Sequence, residues 1–270
     1  MFENKVVWIT GASSGIGLAF AEALHNQGAK LILSALTEDE LTPVVERLSG
    51  SFPLAFDVSD FDALPGLVEL ALGAFGRIDV LVNNAGIVQR SLATETSLDV
   101  YRKVVDVDLM APISLTQLVL PHMLEQGQGR IVVMSSVAGK IGSPLRSAYC
   151  AAKHGLFGYF DSLRAEVLHK GIAVHTVAPG AVKTNLAHNA LRGTGERYGV
   201  PDDFTEGGYL PEYLVEQVLK RIQQGKYEII IARGLERKMQ LLHWLSPEFF
   251  HRLIAKMSPK YIEEFKQTHG

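Results

Sequence analysis

The sequence has a single cysteine, Cys150, among 270 residues. One cysteine excludes an internal disulfide and any metal cluster built on several cysteine ligands. Structural disulfides are typical of secreted proteins, so their absence favours a reducing compartment. The sequence also lacks a run of about 18 apolar residues that could span a membrane, and its first residues lack the pattern of a secretory signal. We therefore expect a cytoplasmic protein.

Neither sign of charge is in large excess. The chain has 26 Lys and Arg against 29 Asp and Glu, a formal net charge of −3. Nucleic-acid-binding proteins usually have a strongly basic surface, so nucleic acid is not an expected partner. The histidines lack the spacing of metal ligands, and no metal site is expected. Internal repeats and linkers rich in Pro or Ser are also missing, which favours a single domain.

Short apolar runs alternate with longer segments of helical periodicity. The runs are rich in Val, Ile and Leu without polar alternation, as in strands buried on both faces. They predict seven strands, at residues 6–10, 30–34, 53–57, 79–83, 130–135, 173–178 and 228–232. Helices are predicted at residues 15–27, 38–48, 61–75, 97–126, 147–169 and 211–224. This alternation predicts an α/β fold, a single-domain Rossmann-type doubly wound parallel sheet flanked by helices.

Two segments interrupt the alternation. Residues 185–208 are rich in Gly, Asn and charged residues, and a long irregular segment late in the sheet order suits a lid over a substrate. Residues 235–270 form a C-terminal helical extension to a catalytic domain of residues 1–234. The apolar residues of the extension lie among Arg and Lys, which leaves three packing partners open: the domain itself, a neighbouring subunit or a membrane surface.

A glycine-rich stretch joins the first predicted strand to the first helix. Glycines allow a tight turn and let backbone N–H groups approach a diphosphate, while the helix N-terminus attracts the anion. An ordinary strand–helix turn is the alternative reading, but the strand–loop–helix context is the one that a dinucleotide site requires. The candidate cofactor-binding residues are Gly11, Ser13, Ser14, Gly15, Ile16 and Gly17.

A tyrosine and a lysine form a candidate acid–base pair. Tyr149 and Lys153 are four residues apart, on one face of the predicted helix. A phenol has a pKa of about 10, and a lysine ammonium beside it favours the phenolate and brings its pKa nearer to neutrality. Ser136, thirteen residues before the tyrosine at the end of the fifth predicted strand, can hydrogen-bond a substrate oxygen. The alternative is a partly exposed helix pair with no chemical role.

Together with Asn83-Asn84-Ala85-Gly86 after the fourth strand and with Pro179-Gly180, these motifs resemble the short-chain dehydrogenase/reductase family. The resemblance extends from about residue 4 to residue 232 and is greatest to the subgroup that acts on lipophilic alcohols and ketones such as retinoids and steroids. It implies an NAD(P)-dependent oxidoreductase that transfers a hydride between nicotinamide and an apolar alcohol, ketone or aldehyde. Tyr149 would be the general acid/base, assisted by Ser136 and Lys153.

The same resemblance implies further contacts. Substrate preference would be set by the lid and near Val88, Gln89, Ser143 and Leu145. The family usually pairs its long helices across subunits, which implies a homodimer or homotetramer. The implied cofactor contacts outside the glycine loop are Asp57, Val58, Asn84, Ala85, Gly86, Tyr149, Lys153, Pro179, Gly180, Val182 and Thr184.

Two positions depart from the family pattern. Asp108 stands where the family has an asparagine that holds a water of the proton relay. An ionised Asp108 would favour the ammonium of Lys153 and support the relay; the alternative is a neutral Asp108 that only packs at an interface. Ala35 and Leu36, after the second strand, replace an acid typical of NAD binders and an arginine typical of NADP binders. The missing acid removes a repulsion of the 2′-phosphate of NADP(H), whereas the missing arginine removes an attraction to it. On balance, NADP(H) is favoured over NAD(H) by a small margin.

Other functions also fit the sequence. A cofactor-binding protein of the same fold, with weak catalysis and a regulatory or assembly role, is the main alternative, and Asp108 in place of asparagine motivates it. An isomerase or epimerase on the same fold is another.

Overall fold

The computed structural model describes residues 1–200 and 203–269. Over this range, seven parallel strands form one sheet in the order β3-β2-β1-β4-β5-β6-β7. The strands are β1 (Val6–Thr10), β2 (Lys30–Ser34), β3 (Phe52–Pro53), β4 (Val80–Asn83), β5 (Gly129–Met134), β6 (Ile172–Pro179) and β7 (Glu228–Ile231). The predicted single-domain Rossmann-type sheet is therefore confirmed.

Helices cover both faces of the sheet. They are α1 (Gly15–His25), α2 (Glu38–Arg47), α3 (Leu64–Phe75), α4 (Leu98–Val105), α5 (Ala111–Glu125), α6 (Ser147–Val167), α7 (Asp203–Glu206), α8 (Pro211–Gln223), α9 (Gly234–Leu245) and α10 (Pro247–His269). Helices α1, α2 and α8 pack on one face, and α3, α5 and α6 on the other. Successive residues of β1 show why the strands are apolar throughout. Val7 and Ile9 face the first layer, whereas Val6 and Trp8 face the second.

The third strand is shorter than the predicted residues 53–57. Pro53 has no N–H group to donate, and β3 lies at the edge of the sheet, where proline is tolerated. Pairing with β2 nevertheless continues beyond the strand, because the N–H groups of Leu54 and Phe56 donate to the carbonyls of Leu33 and Ala35, each at 2.9 Å. The difference is one of regular ladder geometry, not of chain path.

The predicted helix at residues 97–126 contains a π-helical turn. Helix α4 ends at Val105, residues Asp106–Met110 form the π turn, and α5 continues from Ala111. Such turns insert one extra residue and are frequent at functional sites. The stretch Leu98–Glu125 is long and apolar enough to span a membrane, but Leu115 and Val119 pack in the layer beneath the sheet, which accounts for its composition.

The strand order reverses between β1 and β4. At such a reversal the loops that follow the two strands turn to opposite faces of the sheet and leave a crevice, in which α/β proteins bind ligands. Gly11 follows β1 and Asn84 follows β4, so the fold places both predicted motifs at this crevice.

Candidate active site

A cavity of about 620 Å³ lies at the carboxyl ends of the strands. Every predicted catalytic and cofactor-binding residue except Gly17 lines it, as do Val88 and Ser143 of the expected substrate positions, whereas Gln89 and Leu145 do not. Gly17 lies beneath the loop, where a Cβ would be 2.0 Å from the carbonyl oxygen of Gly11. Its glycine therefore allows α1 to pack closely against the loop and gives it no surface in the cavity.

The loop after β1 depends on glycine for its conformation. Gly11 and Gly15 have φ angles of +64° and +54°, which residues with side chains rarely adopt. Ser14, the N-cap residue of α1, makes no side-chain capping bond, and the first turn contains no acidic residue. The N–H groups of that turn are therefore available to an anion.

Thr10 and Asn84 hold this loop against the end of β4. The Thr10 hydroxyl accepts hydrogen bonds from the N–H groups of Asn84 and Ala85, each at 3.0 Å. The side-chain amide of Asn84 donates to the carbonyls of Thr10 and Gly11 at 3.0 and 3.2 Å. Asn83 instead donates to the hydroxyl of Thr116 in α5 at 3.0 Å. Asn84 therefore shapes the wall of the cavity, whereas Asn83 holds β4 against α5.

These features fit a nicotinamide dinucleotide. The glycine loop and the start of α1 would hold the diphosphate. Asp57 and Val58 line the cavity after β3 and would contact the adenine. Pro179 and Val182 line it after β6 and would lie along the nicotinamide, beside Tyr149.

The predicted acid–base residues lie together in the cavity. Tyr149 and Lys153 are one turn apart on α6, and the Lys153 Nζ is 5.5 Å from the centroid of the Tyr149 ring. Ser136, just after β5, lines the same cavity, and its hydroxyl is close enough to that of Tyr149 to lower the pKa of the phenol. Two polar groups next to one another and next to a buried ammonium form a site that can bind and protonate a single oxygen atom.

Asp108 belongs to the same cluster. It is fully buried, its Oδ2 is 3.1 Å from the Lys153 Nζ, and its Oδ1 accepts from the N–H of Ile87 at 2.7 Å. Lys153 also donates to the carbonyl of Met134 at 3.0 Å. The structure therefore places Asp108 inside the site, as the partner of Lys153, and not at an interface.

Burial dominates the proton affinities of this cluster. It raises the pKa of Asp108 above its ordinary value, although Lys153 opposes the rise. Burial alone would lower the pKa of Lys153, but Asp108 and Tyr149 outweigh it and raise that pKa. Burial also raises the pKa of Tyr149, with Asp108 adding to the rise and Lys153 and Ser136 opposing it. The predicted effect of Lys153 has the right direction, but the expected net decrease of the Tyr149 pKa is wrong, because desolvation is larger.

Gln89 has a role that the sequence did not reveal. Its Oε1 accepts from the N–H of Tyr149 at 3.2 Å, and its Nε2 donates to the Ser147 hydroxyl at 3.3 Å. The N-cap residue of α6 makes no side-chain capping bond, so Gln89 satisfies the first turn instead. Gln89 was expected at the substrate, and it holds the start of the helix that carries Tyr149.

Glu236 is a lining residue that the sequence reasoning missed. It lies in the first turn of α9, in the C-terminal extension, and its Oε1 accepts from the N–H of Ala181 at 2.8 Å. Burial raises the pKa of this carboxyl group. No local pattern marks it, because its partner is 55 residues away in the chain.

Residues of the segment predicted to be a lid line one side of the cavity. Leu191 is buried, and its N–H donates to the carbonyl of Val88 at 2.8 Å. The Tyr198 ring, also buried, stacks on Phe265 of α10 with centroids 6.0 Å apart. Pro201, Asp202 and the side chain of Phe204, within the predicted lid, lie outside the described residues.

Comparison with protein families matches residues 5–194 to the short chain dehydrogenase family. The chain belongs to the short-chain dehydrogenase/reductase family. As a member it is an oxidoreductase that acts on CH–OH groups, and the Rossmann-type fold of the family binds a nicotinamide nucleotide.

Its relatives match over nearly the whole chain. Dehydrogenase/reductase SDR family member 7B of Bos taurus is 37% identical over 277 residues, covering 99% of this chain and 84% of the relative. The 7B member of Danio rerio is 38% identical, covering 96% and 87%. A short-chain dehydrogenase from Streptomyces avermitilis has a similar structure, with a TM-score of 0.81 and 29% identity over 96% of this chain and 98% of that one. A family member from Burkholderia phymatum, solved in complex with NAD, gives a TM-score of 0.77 and 26% identity, covering 85% and 89%.

Proposed function

We propose that the protein is an NAD(P)-dependent alcohol dehydrogenase or carbonyl reductase with Tyr149 as its general acid/base. One observation carries this proposal. Ser136 and Tyr149 line one cavity, and Tyr149 lies beside the buried Lys153–Asp108 ion pair. A substrate oxygen at this point can accept hydrogen bonds from both hydroxyls. The main alternative, a binding protein with weak catalysis, rested on Asp108, and the ion pair with Lys153 favours the catalytic role instead.

The residues of the chain handle the proton, while the nicotinamide, when bound, supplies or accepts the hydride. In reduction the Tyr149 hydroxyl donates its proton to the substrate oxygen, and in oxidation its phenolate removes the proton of the alcohol. Lys153 stabilises the phenolate, and Asp108 keeps Lys153 protonated by raising its pKa. Ser136 holds the substrate oxygen against the phenol.

An apolar substrate suits the lining of the cavity. The lining includes Val88 and Ile141, together with Leu186 and Leu191 of the proposed lid. Ser143 adds a hydroxyl. We expect residues 185–208 to act as a lid that closes over an apolar alcohol, ketone or aldehyde and excludes water from the proton transfer.

The adenosine end supports a small preference for NADP(H). Ala35 and Leu36 line the cavity directly after β2, and neither side chain has a carboxylate that would repel a 2′-phosphate. Glu40, in the first turn of α2, also lines the cavity, and its exposed carboxylate opposes such a phosphate. These two features act against each other, which keeps the expected preference small.

The surface supports two kinds of partner. Helices α5 and α6 retain half-buried apolar side chains, including Leu118, Leu124 and Tyr159, which suit a homodimer or homotetramer. The C-terminal extension exposes Trp244 and Phe249 and has six Lys and Arg against four Glu, although the chain as a whole is acidic. An exposed apolar face with excess positive charge suits peripheral contact with an anionic membrane. The buried free thiol of Cys150 is consistent with a cytoplasmic location.

The role of Tyr149 is tested by Tyr149→Phe, with Tyr159→Phe as the matched control on the same helix. We expect Tyr149→Phe to lower kcat by at least about 100-fold on a panel of apolar ketones and alcohols, because the proton donor is lost. Tyr159 does not line the cavity, so its variant should keep wild-type turnover. Dissociation constants for NADPH and NADH should show that both variants still bind nucleotide. Equal turnover by Tyr149→Phe and the wild type would refute the assigned role.

A further inference from the structure

The chain segment after β6, residues 179–184 (the β6 loop), is held from two sides. On one side it pairs with Tyr209, whose N–H donates to the Ala181 carbonyl at 2.9 Å and whose carbonyl accepts from the Lys183 N–H at 2.8 Å. On the other side, the Ala181 N–H donates to Glu236 at 2.8 Å. Both backbone groups of Ala181 are therefore hydrogen-bonded, one to Tyr209, directly after the predicted lid, and the other to the C-terminal extension.

Gly180 and Glu236 fit one another in size. A Cβ on Gly180 would lie 2.0 Å from Oε2 and 2.9 Å from Oε1 of Glu236, and the nearest atoms to it all belong to this carboxyl group. Gly180 is not among the glycines with positive φ. Its missing side chain thus serves the approach of the carboxylate and not the backbone conformation.

The same carboxylate also fastens the start of α9. Glu236 stands three residues after Arg233, the N-cap residue of that helix, in the position of the acid of a capping box, and the Arg233 N–H lowers the pKa of its carboxyl group. Arg233 in turn donates to the carbonyl of Gly207 and lies over the Tyr209 ring, 4.7 Å from its centroid. Helix α9 has no buried residue among its own, so this cluster is a principal attachment of its first turn.

We propose that Glu236 is a positioning residue of the cofactor site, which fixes the β6 loop in the shape that receives the nicotinamide and couples this loop to the C-terminal extension. The inference rests on the proposed function, since it assumes that the β6 loop contacts a nicotinamide. A β6 loop without this anchor would have to be ordered when the nucleotide binds, and the entropy lost would weaken binding.

The test compares dissociation constants for NADPH and NADH, measured by calorimetry on the full chain. Glu236→Ala should weaken binding about five- to tenfold, the loss of one charge-assisted hydrogen bond. Glu236→Gln should stay within about twofold of the wild type, because its amide oxygen still accepts from Ala181. Glu248→Ala, which removes an exposed glutamate from the first turn of α10, is the matched control and should bind as the wild type does. Unchanged affinity in Glu236→Ala overturns the inference.

Gly180→Ala tests the close approach of the Glu236 carboxylate to the β6 loop. Alone, it should push this carboxylate away from the Ala181 N–H and weaken nucleotide binding, although Glu236 itself is unchanged. In the Glu236→Ala background the same substitution should add less than about twofold, since nothing then occupies the space. Full additivity of the two substitutions would overturn the coupling. In both single variants the KM for the cofactor should rise by a larger factor than kcat falls; a fall in kcat with unchanged KM would contradict a positioning role. A wild-type protein that binds neither nucleotide would refute the proposed function itself, a different result from any of these.

Discussion

At the scale of single residues, Asp108 gives the acid–base cluster an unusual charge balance. A buried carboxylate 3.1 Å from a buried ammonium forms an ion pair, and removing either partner would leave the other charge buried and unpaired. The charge of the carboxylate also adds to the elevation of the Tyr149 pKa. Asp108 therefore secures the ammonium at the cost of a less acidic tyrosine.

Asp108→Asn should consequently shift the pH profile of the reaction. Alcohol oxidation needs the phenolate, so its rate increases with pH through the pKa of Tyr149. Removing the carboxylate charge lowers that pKa, and the increase should move to lower pH. The measurement is kcat/KM for oxidation across pH. Asp106→Asn changes a neighbour in the same π turn that does not line the cavity and should leave the profile in place; a shift to higher pH in Asp108→Asn would contradict the assignment.

Glu40→Gln should change the choice of cofactor. Without its carboxylate the adenosine end no longer repels a 2′-phosphate, so affinity for NADPH should increase about two- to fivefold, a modest effect because the group is exposed. Affinity for NADH should change little. Glu38→Gln, in the same turn but outside the cavity lining, is the control. The measurement is the ratio of the dissociation constants for NADPH and NADH. An unchanged ratio in Glu40→Gln would show that this carboxylate does not act on the phosphate.

The residues predicted from spacing alone have partners near in the chain, whereas Asp108 and Asn84, whose partners are distant, were predicted from the family resemblance. Tyr149 and Lys153 are one helical turn apart, and the glycine loop is contiguous, so periodicity and motif spacing were sufficient. Gln89 and Glu236 act across 60 and 55 residues of chain. Their contacts depend on how loops from different strands meet, which no local pattern encodes.

At the scale of elements, strand positions followed from composition, whereas irregularities did not. The π turn at residues Asp106–Met110 contains no Gly or Pro that would mark an interruption, so the sequence predicted one uniform helix. The third strand lost its regular ladder at Pro53, although its apolar residues remained paired with β2. Both differences are in backbone hydrogen bonding, which residue type determines only indirectly.

His175 stabilises the pairing of β6 with the end of the sheet near β7. It is buried in β6, its Nδ1 donates to the Lys226 carbonyl at 2.8 Å, and its Nε2 accepts from the Arg130 guanidinium at 2.6 Å. This arrangement requires the neutral imidazole. Burial, assisted by the charges of Arg130 and Arg164, lowers the pKa of His175 from 6.5 to about 4, although the hydrogen bond to the Lys226 carbonyl opposes the decrease.

The folded protein should therefore lose stability in acid. Between pH 6.5 and about 4 the unfolded chain binds a proton at this position that the folded chain does not, so the stabilisation is complete above pH 6.5 and is lost as pH falls through this window. The contribution is about 3 kcal/mol. His175→Gln should flatten the dependence of Tm on pH in this window, and the exposed control His169→Gln should keep it. Parallel Tm curves for His175→Gln and the wild type would contradict this account.

At the scale of the whole molecule, one cavity collects segments from the entire chain. The loops after β1, β3, β4, β5 and β6, the lid and the first turn of α9 all contribute to it. The sequence predicted the sheet, and the sheet reversal located the crevice. The sequence did not decide which surface the C-terminal extension packs against, because amphipathic helices suit several partners equally well.

The extension should bind anionic lipid surfaces. Its exposed side includes Trp244 and Leu245, which are 78% and 65% exposed. We expect the protein to sediment with vesicles that contain phosphatidylserine and much less with pure phosphatidylcholine, and salt should weaken the binding. The double variant Trp244→Ser/Leu245→Ser should remain in solution. Leu98→Ser removes an equally exposed leucine from the body and should bind as the wild type does.

If the wild-type protein sediments with neither kind of vesicle, contact of the extension with a membrane is excluded. If the double variant then shows a lower mass by light scattering, a second copy of the chain covers this face instead.

The two tryptophans of the chain occupy opposite environments. Trp8 is fully enclosed in the sheet and donates its indole N–H to Ser34 at 2.9 Å, whereas Trp244 is almost bare. A water-soluble quencher such as iodide should consequently reach only the second indole. Emission that survives iodide then reports on the centre of the sheet, and the emission that iodide removes reports on the tail, so a single unlabelled sample distinguishes global unfolding from movement of the last two helices.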